Sequence, residues 1–343
     1  MSYTTIDNPG LFFNTVLYTG NGSSQSITGV GHQPDWTWVK SRGSTAFHLS
    51  TDSVRGVTKQ LYPNADTAEN TDSSHITAFN TDGFSVGSAG DVNGNSLNLV
   101  SWNWKAGGSS SSNSDGSITS SVSANTTAGF SIVSYTGTGS NATVGHGLGA
   151  VPKMIFFKDR ETSVDWGVYA EPNGNTKEMY LSTNDAAGTN TNAFNSTTPT
   201  SSVFTIGTSS RYNPSSKGVI AYCFADVKGY LKIGGYTGNG NADGTFVYTG
   251  FKPAMIIIKL SSGSDNWVLY DNKRDGFNGD THALFPNNSD AQTTDVDIDL
   301  LSNGFKIVRA SGRVNTSGGT HIYMAFAENP FVTAGTKAAG TAR

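Results

Sequence analysis

The sequence predicts an all-β protein of three tandem antiparallel β-sandwich domains, of jelly-roll or immunoglobulin-like type and about 100 residues each. Three observations carry that expectation. A five-residue motif occurs three times, as Tyr18-Thr19-Gly20-Asn21-Gly22, Tyr135-Thr136-Gly137-Thr138-Gly139 and Tyr236-Thr237-Gly238-Asn239-Gly240. After each tyrosine, 16 or 17 residues on, a proline opens an apolar run ending in lysine: Pro34 to Lys40, Pro152 to Lys158, Pro253 to Lys259. Finally, Phe84, Phe204 and Phe305 each precede an aromatic by 18 positions, at Trp102, Tyr222 and Tyr323. Anchors in register over so long a period mark a tandem array of small domains rather than solenoid coils or propeller blades.

Composition agrees. Of 343 residues 41 are glycine and only 14% are charged, the profile of a turn-rich β protein in which Gly and Asn supply positive φ. The net charge of −4 provides no general attraction to nucleic acid or anionic lipid, so neither is expected as a partner. Cys223, the single cysteine, permits no intrachain disulfide and reads as a buried, inert thiol in a strand. The start, Met1-Ser2-Tyr3-Thr4-Thr5, has neither the basic nor the apolar region of a signal peptide, and no apolar run reaches membrane-spanning length.

The first repeat spans 11–106, with strands expected at Phe13 to Tyr18, Trp36 to Lys40, Ala46 to Leu49, Ile76 to Phe79, Gly83 to Val86 and Leu97 to Trp104. No window shows a helical stripe. The segment 107–128, with its run Ser109 to Ser112, is too polar to offset its ordering entropy and reads as a flexible linker. The second repeat, 129–227, has strands at Phe130 to Tyr135, Met154 to Lys158, Trp166 to Tyr169, Met179 to Ser182, Val203 to Ile206 and Val219 to Phe224. The third, 228–331, follows almost without a spacer. Its strands are expected at Tyr230 to Tyr236, Met255 to Lys259, Trp267 to Tyr270, Ala283 to Phe285, Asp295 to Leu301, Phe305 to Val308 and His321 to Phe326. Repeats two and three should therefore form a rigid pair, with repeat one set apart by the linker and a polar tail at 332–343.

Few residues suggest chemistry. The Gly-Asn-Gly spots lack the Lys-Ser/Thr ending and strand-to-helix context of a phosphate loop and read as turns. Six histidines occur singly with no i,i+4 pair, and His32 and His146 read as loop-structuring residues near matching prolines. Asp295, Asp297 and Asp299 alternate, which would place three carboxylates on one strand face; the bland reading is a solvated face, the sharper one a calcium site completed by Asn287-Asn288-Ser289-Asp290. Asp52-Ser53-Val54-Arg55 corresponds to Asp271-Asn272-Lys273-Arg274 and reads as an Asp-Arg pair pinning a loop. Trp36 with Trp38, and Trp102 with Trp104, are i,i+2 pairs that share a face; core packing accounts for them best, and a sugar-stacking platform or subunit interface is the alternative. No carboxylate pair flanks a sugar-cleft motif and no nucleophile-base set recurs, so neither a catalytic residue nor a bound cofactor other than calcium is expected.

The segments Gly31-His32-Gln33-Pro34-Asp35-Trp36-Thr37-Trp38-Val39-Lys40, Phe79-Asn80-Thr81-Asp82-Gly83-Phe84-Ser85-Val86-Gly87, Ser101-Trp102-Asn103-Trp104-Lys105-Ala106-Gly107-Gly108 and Ile322-Tyr323-Met324-Ala325-Phe326-Ala327-Glu328-Asn329-Pro330-Phe331 together give the chain its likeness. Across nearly its whole length it resembles repeat-containing virion proteins of marine tailed bacteriophages, labelled tail-fibre-like or structural. The resemblance implies a non-enzymatic protein made in the host bacterial cytoplasm and placed on the virion exterior, a homo-oligomer (a trimer fits) beside other virion proteins. Adhesion to a host surface glycan or protein is the implied role. Only about ten residues precede the first strand, without a shaft or tail-attachment domain, so head decoration or a head fibre stands as the alternative, and a carbohydrate-binding lectin-like module as another.

Overall fold

The computed structural model describes residues 3–274, 278–279 and 281–333. Asp275 and Gly276, which follow Asp271-Asn272-Lys273-Arg274 in sequence, and all but the first two residues of the tail at 332–343, lie outside the described residues. Strand accounts for 42% of the chain and helix for 6%, which makes it all-β, built from several antiparallel sheets.

Each repeat lays down one four-stranded core in the same spatial order: first, last, third, fourth. In the first repeat these strands are Phe13–Thr19, Asn98–Trp104, Trp36–Ser41 and Leu49–Asp52. In the second they are Phe130–Thr136, Gly218–Phe224, Met154–Asp159 and Gly167–Ala170; in the third, Leu231–Thr237, Thr320–Pro330, Phe251–Leu260 and Val268–Asp271. The proline-to-lysine runs are thus the central strands, buried along their whole length as expected for apolar runs without polar alternation. A short sheet accompanies each core, containing Gln25–Thr28 beside Gly83–Val86, Ala142–Gly145 beside Val203–Ile206, and Phe246–Tyr248 beside Gly304–Ile307. In the first repeat Ile27, Phe84 and Val86 of the short sheet pack on Val39, Leu49 and Leu99 of the core sheet.

The opposite faces of the three core sheets meet one another. One cluster takes in Trp36, Trp38, Trp102 and Trp104, then Phe130, Phe156, Trp166 and Tyr222, then Trp267, Tyr270 and Phe326. Trp36 stacks on Tyr222 at 4.4 Å between ring centroids, and Phe13 on Phe326 at 4.8 Å. Repeat one is therefore not set apart from a pair; it packs on both others. Backbone bonds close the ring in one rotational sense: Gln292 N–H donates to Arg42 at 2.9 Å, Glu69 N–H to Arg160 at 2.7 Å and Ala187 N–H to Ser261 at 2.9 Å. The three acceptors occupy equivalent positions, two residues after Lys40, Lys158 and Lys259.

Equivalent side chains repeat the rule. Trp166 Nε1 donates to the Tyr62 carbonyl at 3.0 Å and Trp267 Nε1 to that of Tyr180 at 2.8 Å. In repeat one the matching residue is His48, whose Nδ1 accepts from Trp38 Nε1 at 2.9 Å and which has a backbone contact with Phe285, the counterpart of Tyr62 and Tyr180. Each central lysine is buried and bridges the carbonyls one and four residues on: Lys40 to Ser41 and Ser44, Lys158 to Asp159 and Thr162, Lys259 to Leu260 and Gly263.

The segment 107–128 is not a free linker. Ser120–Asn125 pairs along Phe130–Thr136, with Val122 opposite Val133, and Ser111–Asn113 pairs on its far side, widening the second sheet. Composition misleads here because Ile118, Ser120 and Val122 alternate inward and the neighbouring strand supplies the hydrogen bonds. The short strands Gln25–Thr28, Ala142–Gly145 and Phe246–Tyr248 were not expected either; at three or four residues, with a single large inward side chain each, they carry too little period-two signal. The strand expected from Asp295 begins only at Ile298, because the Asp297 carboxylate turns inward instead of alternating outward.

Candidate functional site

The four tryptophans singled out from sequence are interior. Trp36, Trp38, Trp102 and Trp104 are all 1% exposed or less, so none offers a ring face to a sugar. Trp102 Nε1 donates to Asp271 Oδ2 of the third repeat at 3.0 Å, and Tyr222, at the position matching Trp102, donates to Asp52 Oδ2 of the first at 2.7 Å. Asp52 and Asp271 also hold Arg55 and Arg274 at 2.5 and 2.6 Å, both pairs fully buried. The second repeat has Ala170 at this position, and the third such link is missing.

Asp295 and Asp297 converge on an arginine, and Asp299 does not join them. Asp295 Oδ1 and Oδ2 pair with Arg309 and Arg313 at 2.5 and 2.7 Å, which holds its carboxyl down to about 2. Asp297 pairs with Arg313 at 2.7 Å and accepts from the Tyr270 hydroxyl. Asp299 lies apart, opposite Lys306 in the strand ladder. Guanidinium groups already compensate the first two carboxylates, so the local charge that would draw a divalent cation is spent. Among the described residues no three His, Cys, Asp or Glu side chains group as metal ligands.

Aromatic surface is exposed elsewhere. Phe246 and Tyr248 alternate outward on Phe246–Tyr248, the edge strand of the third short sheet, and are 44% and 56% exposed. In the equivalent strands Ile27 faces Phe84 and Val144 faces Phe204, as Val247 faces Phe305. The flanking residues there are Ser26 and Thr28, both exposed, and Thr143 and Gly145, the last covered by Asn113. Only the third repeat puts aromatic rings in those places.

Tyr248 borders a groove of about 460 Å³ closed on its other sides by Tyr3 and by the turn from Asp226 to Lys232. The Tyr3 hydroxyl donates to the Gly250 carbonyl at 2.5 Å, and its ring packs edge-on against Phe331. Gly250 has φ +85°, and a Cβ there would lie 2.9 Å from the Tyr3 hydroxyl, so both the turn and the close approach require glycine. Lys228, exposed, sits 4.8 Å above the Tyr3 ring centroid. Asp226 Oδ2 receives Lys232 at 2.7 Å and Lys153 at 3.5 Å, while its Oδ1 accepts from Ile233 N–H at 2.8 Å. Sequence reasoning missed this groove because Tyr3 and Tyr248 are distant in the chain. The one available signal was the departure of Phe246 and Tyr248 from the polar pattern of the other repeats.

An all-β protein with three copies of one strand order round a shared aromatic core, and one aromatic, lysine-rimmed groove at its edge, is the class these observations define. The chain belongs to the family described as a domain of unknown function (DUF7483), whose model matches residues 8–330 and so runs through all three repeats and the segment between the first two. No curated protein and no solved structure matches the chain.

Proposed function

We propose that this protein is a non-enzymatic structural component of a bacteriophage virion exterior, a tail fibre or short appendage that contributes to adhesion to the host surface. In this reading the three repeats are β-sandwich domains that act as one rigid body. It assembles with other virion proteins and as a homo-oligomer. The observation that carries the reading is the contrast between inside and outside. Each repeat contributes large aromatics to the shared core, and only the third also turns two outward on the edge strand of its short sheet, beside a groove. Duplicated blocks that stiffen one another suit a part whose task is to hold a surface in place, and the likeness of residues 31–40, 79–87, 101–108 and 322–331 to tailed-phage structural proteins points the same way. The groove also favours a second reading, a lectin-like module that stacks sugar rings.

Gold-labelled antibody raised against the purified protein, applied to intact particles, tests the proposal. Label on the tail or its appendages is the expected result. Label over the capsid would replace it with head decoration, and unlabelled particles would overturn the virion assignment.

A further inference from the structure

We propose that the groove between Tyr3, Tyr248 and Lys228 binds an acidic sugar, a pyranose carrying a carboxylate or sulfate, within a polysaccharide. The inference rests on the adhesive half of the function proposed above and supplies its ligand class. Three features converge. The first is an open ring face: Tyr248 is more than half exposed on an edge strand whose counterparts carry Thr28 and Gly145. A ring in that place adds nothing to the core, but it provides the flat apolar surface on which the C–H face of a sugar stacks.

The second is preorganisation. Tyr3 is fixed by its bond to Gly250 and by Phe331, and Gly250 is held to Asn303 through its own N–H at 3.1 Å. The wall of the groove is therefore set before a ligand arrives, which lowers the ordering cost of binding.

The third is charge. Lys228 and Lys232 line the groove with Asp226 as its one carboxylate, and that carboxylate is already engaged by a backbone N–H and by the ammoniums of Lys232 and Lys153. A chain of net charge −4 thus presents a locally cationic rim beside its exposed aromatic rings. An anionic substituent would pair with Lys228 and Lys232 while the sugar ring lies on Tyr248. A cavity of this size holds one or two sugar rings, and the overall negative charge disfavours a long nucleic acid chain.

Affinity electrophoresis of the full chain through gels containing alginate, dextran sulfate or neutral dextran reads this directly. Retardation by alginate or dextran sulfate and not by neutral dextran is expected, the two acidic polymers separating carboxylate from sulfate recognition. Tyr248→Ala should weaken binding roughly tenfold, equivalent to about 1.4 kcal/mol. Lys228→Gln should weaken it and flatten its salt dependence, whereas Phe47→Ser, at an exposed aromatic of the first repeat, should leave it unchanged. Circular dichroism of each variant verifies the fold. Equal retardation by neutral dextran, no retardation by any polymer, or full binding by both groove variants would overturn the proposal. So would self-association in the ultracentrifuge that Tyr248→Ala abolishes while acidic polymers go unbound, since the groove would then be a contact between copies. Acidic-polymer binding with unlabelled virions leaves this site standing and removes only the virion assignment; labelled virions without binding do the reverse.

Discussion

Lys40, Lys158 and Lys259 are the most informative single residues, because each is an ammonium buried in a central strand and bridging two carbonyls. Burial lowers all three to about 8; Asp290 partly offsets this at Lys40, Asp159 and Asp66 at Lys158, and Asp265 and Asp185 at Lys259, while Arg274 and Arg211 add to the lowering at the first two. In the unfolded chain a lysine titrates near 10.4. Between about pH 8 and 10 the unfolded state therefore binds more protons than the folded one, and stability rises with pH. Buried tyrosines oppose this above pH 10, since Tyr169, Tyr180 and Tyr323 are raised to about 12 by burial. The denaturant midpoint should accordingly climb from pH 7.5 to 9.5, less steeply than three lysines alone would give because burial raises Cys223 and opposes them, and Lys40→Met, Lys158→Met or Lys259→Met should each reduce the slope; variants as steep as the parent would refute the assignment. At the acid end burial lowers His32 to about 4 and also depresses His48, His146 and His321. Below pH 6.5 the unfolded histidines take up protons first, so stability falls as pH falls towards 4. His75 acts in the opposite sense: Asp91 and Asp72 outweigh its burial and raise it. Replacing His75 by Gln should steepen the acid loss, and replacing His321 by Gln should soften it, as read from denaturant midpoints at pH 7 and 4.5.

At the scale of elements the test case is the strand Ser120–Asn125. Val122 is 4% exposed, and the Ser123 hydroxyl accepts from Gly107 N–H at 3.0 Å and donates to the Gly108 carbonyl at 2.7 Å. Val122→Asp would place a carboxylate against Val133 and should cost about 2–4 kcal/mol, the range for losing a buried apolar side chain and burying a charge without a partner. Thermolysin should leave segment 107–128 intact in the native protein and cut it in this variant; cleavage of the native protein at the same rate would show that the strand is not held. The same segment shows what a sequence conceals. The core strands were legible, since Pro34, Pro152 and Pro253 open runs that end on matching lysines and the aromatic anchors keep an 18-residue spacing. The repeating contacts that close the ring were not, because they end on carbonyls such as those of Tyr62, Tyr180, Arg42 and Arg160, and a carbonyl is common to every residue. Asp295, Asp297 and Asp299 suggested a common face, yet the arginines that engage the first two, Arg309 and Arg313, come only after a further strand. The groove needed the fold: Phe246 and Tyr248 stand out only once their strand is matched to Gln25–Thr28 and Ala142–Gly145.

For the whole molecule the decisive fact is that the largest core belongs to no single repeat. Phe130, Phe156, Trp166, Tyr222 and Phe224 of the second repeat face Trp36 and Phe326 of its neighbours, so a free second repeat would expose a continuous aromatic face far beyond the patches that soluble monomers tolerate. Independent domains would unfold in separate steps. A shared core with a closed ring of contacts couples the steps, and unfolding should be one cooperative transition whose calorimetric and van't Hoff enthalpies agree. Trp36→Ala removes a ring stacked on Trp104 at 4.1 Å and on Tyr222 at 4.4 Å, one contact within its repeat and one across the boundary. Its cost should be about 3–5 kcal/mol, and it should move the entire transition rather than detach a first-repeat component. Residues 107–227, which include the strands that widen the second sheet, should aggregate or stay unfolded when expressed alone. Three resolved calorimetric peaks, a Trp36→Ala shift confined to one of them, or a soluble folded second repeat would each show that the repeats are separable and that the shared core does not govern stability.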